Sequence, residues 1–271
     1  MNQSFRDFEY AGWASAEVCS RYHDYFSELT TQSVEPLLDA AGVCAGMRVL
    51  DVATGAGYVA GAALARGAGV TATDFSVEQL RLARERYAGA TYRECDAESM
   101  PFAAESFDAV LCNFGVPHFP GPDAFVREAF RVLKRGGRLA LTVWDVPQEA
   151  RGFGALYGAI RAHGSMDVGL PPGPNFFLYS EPARCEKALL DAGFTACAIT
   201  KVPQVWRAPS SETFFDAMLQ GTVRASGTLT RQAPEAFEAI RAAVRNALSP
   251  FKHRETFEVP MPAVLAAATK A

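Results

Sequence analysis

From about residue 46 onward, short apolar runs alternate with segments whose apolar residues recur at helical spacing. This alternation predicts an α/β fold in which crossover helices join parallel strands. A further helix is expected to have Ser180 as its N-cap and to end at Gly193. The predicted strands are residues 48–53, 70–74, 91–95, 107–114 and 138–144, and the predicted helices are residues 58–65, 77–87 and a segment from Pro122 that ends at Gly136 and Gly137.

Three segments do not follow this alternation. Residues 146–179 are rich in Gly and Pro, and residues 210–250 have the pattern of helices loaded with Phe. The aromatic stretch before Val43 is the third. We interpret all three as material that covers a site, which predicts three regions: an N-terminal helical cover (1–42), a core (43–145), and a remainder (146–271) that completes the sheet and carries both insertions.

Residues 256–268 have the pattern of one more strand. Pro260 and Pro262 lie inside it and lack the N–H that a sheet ladder requires. We therefore expect this strand at an edge or with a bulge.

The charge of the chain argues against a nucleic-acid partner, because 26 Lys and Arg residues are outnumbered by 30 Asp and Glu residues. Proteins that bind nucleic acid need a basic surface, so we expect a small-molecule substrate. The first residues have neither a basic leader nor an apolar run, which predicts a cytoplasmic protein with no membrane segment. A homodimer is compatible with the sequence.

The six cysteines never fall at the spacing of metal ligands or of a redox pair. Cys95, Cys112 and Cys197 lie in runs that are typical of buried strands. We therefore interpret the cysteines as reduced thiols and predict no metal site.

A glycine-rich turn follows the first predicted strand. Gly55, Gly57 and Ala60 form a GxGxxA pattern between strand and helix, and Asp74 follows about 20 residues later, as in dinucleotide-binding proteins. Asp51 argues against a dinucleotide, because a carboxylate at the turn would repel a pyrophosphate. It suits a ligand with an ammonium group, ribose hydroxyls and no phosphate, which describes S-adenosylmethionine. The alternative is that Asp51 only orders the turn through backbone hydrogen bonds.

Asp51, Ala53, Gly55 and Gly57 resemble the first motif of the class I S-adenosylmethionine-dependent methyltransferases. The variant DVATGAG is similar to the branch of ubiquinone and menaquinone C-methyltransferases. The chain departs from the common pattern at Ala53, where many members have a glycine, and this tightens the turn.

Further matches follow in the order of that family, from about Val43 to Trp144. The resemblance implies a Rossmann-like, mostly parallel seven-stranded sheet with helices on both faces and an antiparallel closing strand. The N-terminal segment and the two insertions are expected to add a helical cap. The resemblance also implies S-adenosylmethionine as the cofactor and S-adenosylhomocysteine as the product. By the same resemblance, Asp74 and Phe75 would hold the ribose, and Asp96 and Ala97 the adenine. Asn113 is expected to touch the methionyl part, because it lies at the carboxyl end of the fourth predicted strand.

Methyl transfer needs an aligned nucleophile in a dry pocket, and a base when the acceptor must lose a proton. His118 is the candidate base, because it follows the fourth predicted strand at the edge where an open α/β sheet forms its crevice. Pro117 and Pro120 bracket it, so a purely structural loop role is the alternative. The second set of candidates lies in the N-terminal segment: Tyr22, His23 and Tyr25.

The leading hypothesis is methyl transfer to a small, largely apolar or aromatic molecule. The alternatives are an enzyme of the same fold that uses the cofactor in a non-methylating step such as cyclisation, and an NAD(P)-dependent oxidoreductase. The local basic cluster is interpreted as a solvated helix face: Arg241, Arg245, Lys252 and Arg254.

Overall fold

The computed structural model describes residues 4–271 and folds into two compact units. One unit, here the sheet unit, comprises residues 30–144, 173–202 and 263–271. The other, here the helical unit, comprises residues up to 29, 145–172 and 203–262.

The helices are α1 (Phe5–Trp13), α2 (Ala16–Thr30), α3 (Val34–Ala41), α4 (Tyr58–Ala65), α5 (Val77–Arg86), α6 (Pro122–Val132), α7 (Arg151–His163), α8 (Pro182–Asp191), α9 (Ser211–Gln220), α10 (Arg224–Leu229) and α11 (Pro234–Leu248). The strands are β1 (Arg48–Val52), β2 (Gly69–Asp74), β3 (Thr91–Glu94), β4 (Phe107–Asn113), β5 (Leu133–Trp144), β6 (Phe194–Val202), β7 (Val205–Ala208), β8 (Lys252–His253), β9 (Thr256–Pro260) and β10 (Ala263–Lys270).

The sheet unit contains a seven-stranded sheet with the order β3-β2-β1-β4-β5-β10-β6. The first five strands in this order are parallel, and β10 runs antiparallel to both β5 and β6. The predicted α/β class and the mostly parallel seven-stranded sheet are confirmed. Strand β10 is antiparallel, as the resemblance implied for the closing strand, and it lies between β5 and β6 rather than at an edge, with a shift of register against β6.

Both faces of the central strands are buried, which explains why their sequences are continuously apolar rather than alternating. Leu50 and Val110 share a buried cluster with Phe125 of α6. Their neighbours Val49 and Leu111 point to the opposite face and are equally inaccessible. Helix α3 packs beside β4 and β5.

The predicted end of α6 and the predicted start of β5 were wrong. Helix α6 ends at Val132, and β5 begins at once with Leu133, so Gly136 and Gly137 lie inside a strand instead of ending a helix. A Cβ on Gly137 would lie 3.0 Å from the Asp108 carbonyl oxygen. The glycine therefore allows β5 to pass close to β4, where the register shifts.

Ser180 is not the N-cap of α8, which Glu181 precedes without a side-chain cap. Its hydroxyl instead donates to the carbonyl oxygen of Trp144 over 2.6 Å. The single strand predicted over 256–268 is two strands, β9 and β10, which belong to different sheets and are separated near the two prolines. Proline cannot supply the ladder donors that one continuous strand would need.

The helical unit contains α1, most of α2, α7, α9, α10 and α11, and also an antiparallel sheet of β7, β9 and β8. Strands β7, β8 and β9 lie outside the three segments predicted to form the cover. Residues 30–42 and 173–179 of those segments belong to the sheet unit. Phe214 and Phe215 are buried in the helical unit, where Gly152 lets α7 approach Phe214 closely. None of the helices within residues 4–271 is long and apolar enough to cross a bilayer.

Candidate functional site

The chain makes a tight turn between β1 and α4. Ala53, Gly55 and Gly57 have φ of +54°, +54° and +87°, in the left-handed region. A Cβ on Gly57 would lie 2.9 Å from the Cβ of Ala83, so this position requires glycine for space as well as for conformation. The backbone N–H of Thr54 donates to the carbonyl oxygen of Thr73, which ties the turn to the neighbouring strand β2.

Asp51 is buried beneath this turn. Its Oδ2 accepts a hydrogen bond of 2.6 Å from the hydroxyl of Thr54, whereas no hydrogen-bond partner for Oδ1 lies within residues 4–271. Burial raises the pKa of Asp51 to about 7, and the Thr54 hydrogen bond opposes that rise. One oxygen thus orders the turn through a side-chain hydrogen bond, whereas the structural alternative expected backbone hydrogen bonds. The other oxygen is a buried acceptor that a ligand donor can satisfy.

Asp74 closes the same turn from the carboxyl end of β2. Its Oδ2 accepts from the Gly55 N–H over 3.0 Å and its Oδ1 from the Ser76 N–H over 2.9 Å. Burial raises the pKa of Asp74 to about 6, against the effect of these two backbone donors. Each carboxylate oxygen can accept a second hydrogen bond, so the side chain retains capacity for ligand hydroxyls.

The order of the strands reverses between β1 and β4, and in open α/β sheets a crevice forms at such a point. The loop after β4 forms the other side of this crevice. Phe114 has φ +58° and stacks on Trp144 with a centroid separation of 4.0 Å. A Cβ on Gly115 would lie 2.6 Å from the Cβ of Ala53, so the loop and the turn are in close contact.

The Asn113 side chain is anchored within the sheet unit. Its Oδ1 accepts from the hydroxyls of Ser33 (2.8 Å) and Thr142 (2.5 Å), and its Nδ2 donates to the carbonyl oxygen of Thr30 over 3.1 Å. Asn113 therefore connects the segment before α3 to the edge of the crevice. Its direct contact with a methionyl group stays a prediction.

His118 lies in a 3₁₀ turn after β4, where its N–H donates to the carbonyl oxygen of Gly115. Its half-buried ring meets Phe176 edge-on, with a centroid separation of 6.0 Å. An electrostatic interaction with His118 also lowers the pKa of Asp74, although less than the N–H donors of Ser76 and Gly55 do. The imidazole therefore acts electrostatically on the carboxylate that closes the turn.

Residues 50–141 match the model of a methyltransferase domain. The chain is also 39% identical over 121 residues to a demethylmenaquinone methyltransferase of Clavibacter sepedonicus. The matched region is 44% of this chain and 46% of that protein. This region is a class I S-adenosylmethionine-dependent methyltransferase domain.

The methyltransferase domain has other relatives. An uncharacterised protein of Mycobacterium tuberculosis is 42% identical over 132 residues, or 47% of each chain. The chain thus spans about half the length of the curated relatives it matches. A crystal structure of a candidate methyltransferase from Bacillus halodurans covers 88% of this chain and 98% of its own, with a TM-score of 0.56 and 26% identity.

The turn of the methyltransferase domain fits the cofactor of its class. S-adenosylmethionine carries an ammonium group, a ribose diol and an adenine, and it has no phosphate. An ammonium supplies the donor that the buried Oδ1 of Asp51 lacks, and a diol can use the remaining acceptor sites of Asp74. A pyrophosphate would bring negative charge to two buried carboxyl groups.

The residues predicted to hold the adenine lie at the same edge of the sheet, because β3 is the neighbour of β2. Asp96 is half-buried and its Oδ1 accepts from the Glu98 N–H over 2.9 Å, while Ala97 is buried. Phe75 follows β2 and is half-buried. Their contacts with a ligand stay predictions.

The alternative candidates for a base lie in α2 of the helical unit. Tyr22 stacks on Phe26 with a centroid separation of 5.0 Å, and the hydroxyl of Tyr25 donates to Oε1 of Gln220 over 3.2 Å. His23 lies between them. Their catalytic role is untested.

Two residues of the basic cluster that was expected to be a solvated helix face form ion pairs. Arg241 and Arg245 each lie 2.8 Å from the carboxylate of Glu212. In the part of the chain that the structure describes, no cluster of three or more His, Cys, Asp or Glu side chains is arranged to hold a metal.

Sequence reasoning missed Thr54 and the loop residues Phe114 and Gly115. Thr54 stands three residues after Asp51, a spacing typical of a side-chain hydrogen bond across a turn. No sequence signal indicates the positive φ of Phe114, because bulky residues rarely adopt it.

Proposed function

We propose that this protein binds S-adenosylmethionine at the turn after β1 and transfers its methyl group to a small, largely apolar or aromatic molecule. The observation that carries the proposal is the buried Oδ1 of Asp51, which has no hydrogen-bond partner within residues 4–271 and lies beneath a glycine turn. Such an atom is costly unless a ligand satisfies it.

In this proposal Asp51 receives the ammonium group and Asp74 the ribose diol. Asp96 accepts a hydrogen bond from the adenine amine, and Ala97 and Phe75 lie against apolar surface of the adenosine. Asn113 positions the edge of the crevice through its three hydrogen bonds. Ala53, Gly55 and Gly57 shape the turn so that its backbone can approach the ligand closely.

The bound cofactor supplies a methyl group on a positively charged sulfur, which an aligned nucleophile can displace in line. The protein must hold that nucleophile, exclude water and, where the acceptor carries a proton, receive it. Alignment alone can contribute roughly 7 to 11 kcal/mol in the best cases. A ring nitrogen of His118 is the proposed proton acceptor, since its ring lies beside Phe176 at the crevice.

The test is calorimetry of the purified protein with S-adenosylmethionine, S-adenosylhomocysteine and NADH. We expect binding of the first two and none of the third. Tight NADH binding without binding of the sulfonium compound would refute the proposal. If the sulfonium compound binds but a panel of phenols and quinols never yields the demethylated product, a non-methylating use of the cofactor is favoured.

A further inference from the structure

Residues 95–102 follow β3 and are here called the adenine loop, because they include the proposed adenine contacts Asp96 and Ala97. They form neither helix nor strand, so their backbone polar groups need partners from other elements. At the start of the loop, the Cys95 N–H donates to the carbonyl oxygen of Asp74 over 3.0 Å. The loop therefore begins beside the residue proposed to bind the ribose.

Helix α6 supplies partners for the far end of the adenine loop through two side chains, Glu128 and Arg131. Oε2 of Glu128 accepts from the Met100 N–H over 2.8 Å. Nη2 of Arg131 donates to the Met100 carbonyl oxygen over 2.8 Å, and its Nη1 donates to the Phe102 carbonyl oxygen over 2.7 Å. Two side chains of one helix thus bind both backbone polar groups of Met100 and the carbonyl group of Phe102.

These two side chains also hold each other. Nε of Arg131 donates to Oε1 of Glu128 over 2.7 Å, and its Nη2 donates to Oε2 over 2.8 Å. This paired hydrogen bonding lowers the pKa of Glu128 below its ordinary value. A planar guanidinium bound at both carboxylate oxygens has little freedom to turn. The helix that carries the pair is itself fixed by buried apolar residues: Phe125, Val126 and Ala129.

The connection between β3 and β4 is attached to α6 at further places. Oε1 of Glu98 accepts from the N–H of Gly121, the residue that precedes the helix. The Met100 side chain is buried in the same hydrophobic cluster as the inner face of α6. Beyond the adenine loop, the Ser106 N–H donates to the carbonyl oxygen of Val132 over 2.8 Å. The connection is therefore held at both ends of this helix.

Asp96 lies between the anchors at Cys95 and Met100. Its Oδ1 accepts from the Glu98 N–H over 2.9 Å, and its carbonyl oxygen accepts from the Ser99 N–H over 3.2 Å. The carboxylate is thus part of a turn whose position depends on the anchors that flank it. A hydrogen bond that lengthens by about 1 Å is effectively lost, so a small shift of this turn would change what Asp96 can bind.

We propose that Glu128 and Arg131 are positioning residues for recognition of the cofactor's base. Through the backbone of Met100 and Phe102 they hold Asp96 where its carboxylate accepts a hydrogen bond from the adenine amine. The site thereby prefers adenine to hypoxanthine, which presents a carbonyl oxygen at the same place, because two acceptors that face each other repel. This inference rests on the proposed function.

The test is calorimetry of the full chain with S-adenosylhomocysteine and with S-inosylhomocysteine, in which a carbonyl group replaces the adenine amine. The parent should bind the adenine compound about ten-fold more tightly or better, because the other compound loses a charge-assisted hydrogen bond. Arg131→Met should weaken the adenine compound by about five-fold and the hypoxanthine compound by less than about two-fold. The preference between the two bases therefore falls.

Arg81→Met is the matched control. Arg81 of α5 also pairs with a glutamate three residues away in its helix, Glu78, and it also donates to Glu85. These partners are carboxylates of its own helix and belong to no loop. The base preference of this variant should equal that of the parent.

Glu128 provides a second test that does not depend on Arg131→Met. Glu128→Gln keeps an oxygen that can accept from the Met100 N–H, whereas Glu128→Ala does not. The base preference should therefore decrease from the parent to Glu128→Gln and further to Glu128→Ala. A thermal melt of each variant accompanies the titrations, since a merely structural role would lower the melting temperature and weaken both compounds alike.

The outcomes separate the two proposals. Equal affinity of the parent for the two compounds, or equal weakening of both by Arg131→Met and Glu128→Ala, overturns the positioning role alone. Failure of the parent to bind either compound overturns the proposed function and the positioning role with it.

Discussion

The turn after β1 and the loop after β4 are two neighbouring connections at the same edge of one sheet, and each contains a non-glycine residue at positive φ. Ala53 adopts +54° in the turn, and Phe114 adopts +58° in the loop. The surroundings differ: the turn encloses the buried carboxyl groups of Asp51 and Asp74, whereas the loop carries an aromatic stack of Phe114 on Trp144.

The difference indicates a division of labour. Backbone strain persists only where the surrounding structure enforces it, and it often concentrates at ligand sites. The turn is enforced by hydrogen bonds to β2 and offers acceptors for polar and cationic groups. The loop is enforced by apolar packing, including the stack of Phe114 on Trp144. Under the proposed function, the cofactor lies at the turn and the acceptor lies beside the loop.

The sharpest test of this division is His118→Ala. If the loop serves the acceptor, the variant should lower the rate of methyl transfer by a factor on the order of 100 or more while cofactor affinity stays nearly unchanged. The measurement is steady-state kinetics, with calorimetry for the cofactor. A rate within a few-fold of the parent would assign His118 to loop structure and break the comparison on the acceptor side.

The turn should respond in the opposite manner. Asp74→Ala removes an acceptor of charge-assisted hydrogen bonds and should weaken cofactor binding by about 1 to 3 kcal/mol. Asp74→Asn keeps one acceptor oxygen, so its cofactor affinity should lie between that of Asp74→Ala and that of the parent. Calorimetry measures the affinities.

Because Asp74 also accepts from the Gly55 N–H, a thermal melt must accompany this experiment. A variant that binds as tightly as the parent would show that the ribose is held elsewhere, and one that melts far below the parent would make Asp74 structural.

The pH dependence of cofactor affinity probes the turn more finely. With a pKa of about 7, Asp51 carries a proton at pH 6 and has lost it at pH 8. An ammonium group binds the ionised form, so each pH unit below the pKa lowers affinity up to about ten-fold. S-adenosylhomocysteine should therefore bind about ten-fold more weakly at pH 6 than at pH 8, as measured by calorimetry. Asp51→Asn should keep only the shallower dependence of Asp74, whose pKa of about 6 gives a loss of about two-fold over that range. An unreduced slope in that variant would place the titrating group elsewhere.

The same raised pKa affects the free protein. Folded Asp51 holds a proton that an unfolded chain, with an ordinary pKa of 3.8, releases at lower pH. The free energy of unfolding should therefore fall as the pH rises from about 4 to 7. Asp74 contributes in the same direction, because its pKa is also raised in the folded protein. Urea denaturation of the parent and Asp51→Asn at several pH values checks this, and a parent that gains stability from this site over that range would contradict it.

The smallest expected effect concerns the strain itself. Ala53→Gly removes the cost of the left-handed conformation. The greater conformational freedom of glycine in the unfolded chain offsets part of this gain. We expect the free energy of unfolding to rise by about 0.5 kcal/mol. Gly115→Ala, whose new Cβ would lie 2.6 Å from that of Ala53, should lower it. Denaturant titration measures both, and a loss of stability in Ala53→Gly would mean that the methyl group packs usefully.

Residues at the ends of strands were predictable from sequence because a parallel sheet buries both faces and gathers the carboxyl ends at one edge. The predicted helix at 58–65 agrees with α4, and the predicted ends of β1 to β4 lie within one residue of those observed. Asp51, Asp74 and His118 could be selected on this ground. What sequence could not supply was long-range pairing: nothing near Asn113 indicates that Ser33 and Thr30 bind its amide.

The position of residues 173–179 could not be predicted from sequence for a related reason. The pattern of residues 146–179, rich in Gly and Pro, indicates a covering insertion, because prolines and glycines break strands and helices. Its position depends on contacts of Tyr179 and Arg184 with Asp123, which lies more than 50 residues earlier. Local pattern carries no information on such a partner.

The sheet order also bears on how the chain is made. Strand β10 lies between β5 and β6, so β6 cannot join the sheet until residues 263–270 have left the ribosome. Until then the nascent chain exposes the edge of β5, and unpaired edges favour association with other chains. Closure of this sheet therefore follows the synthesis of residues 263–270, and synthesis stalled before β10 should yield a chain that depends on chaperones.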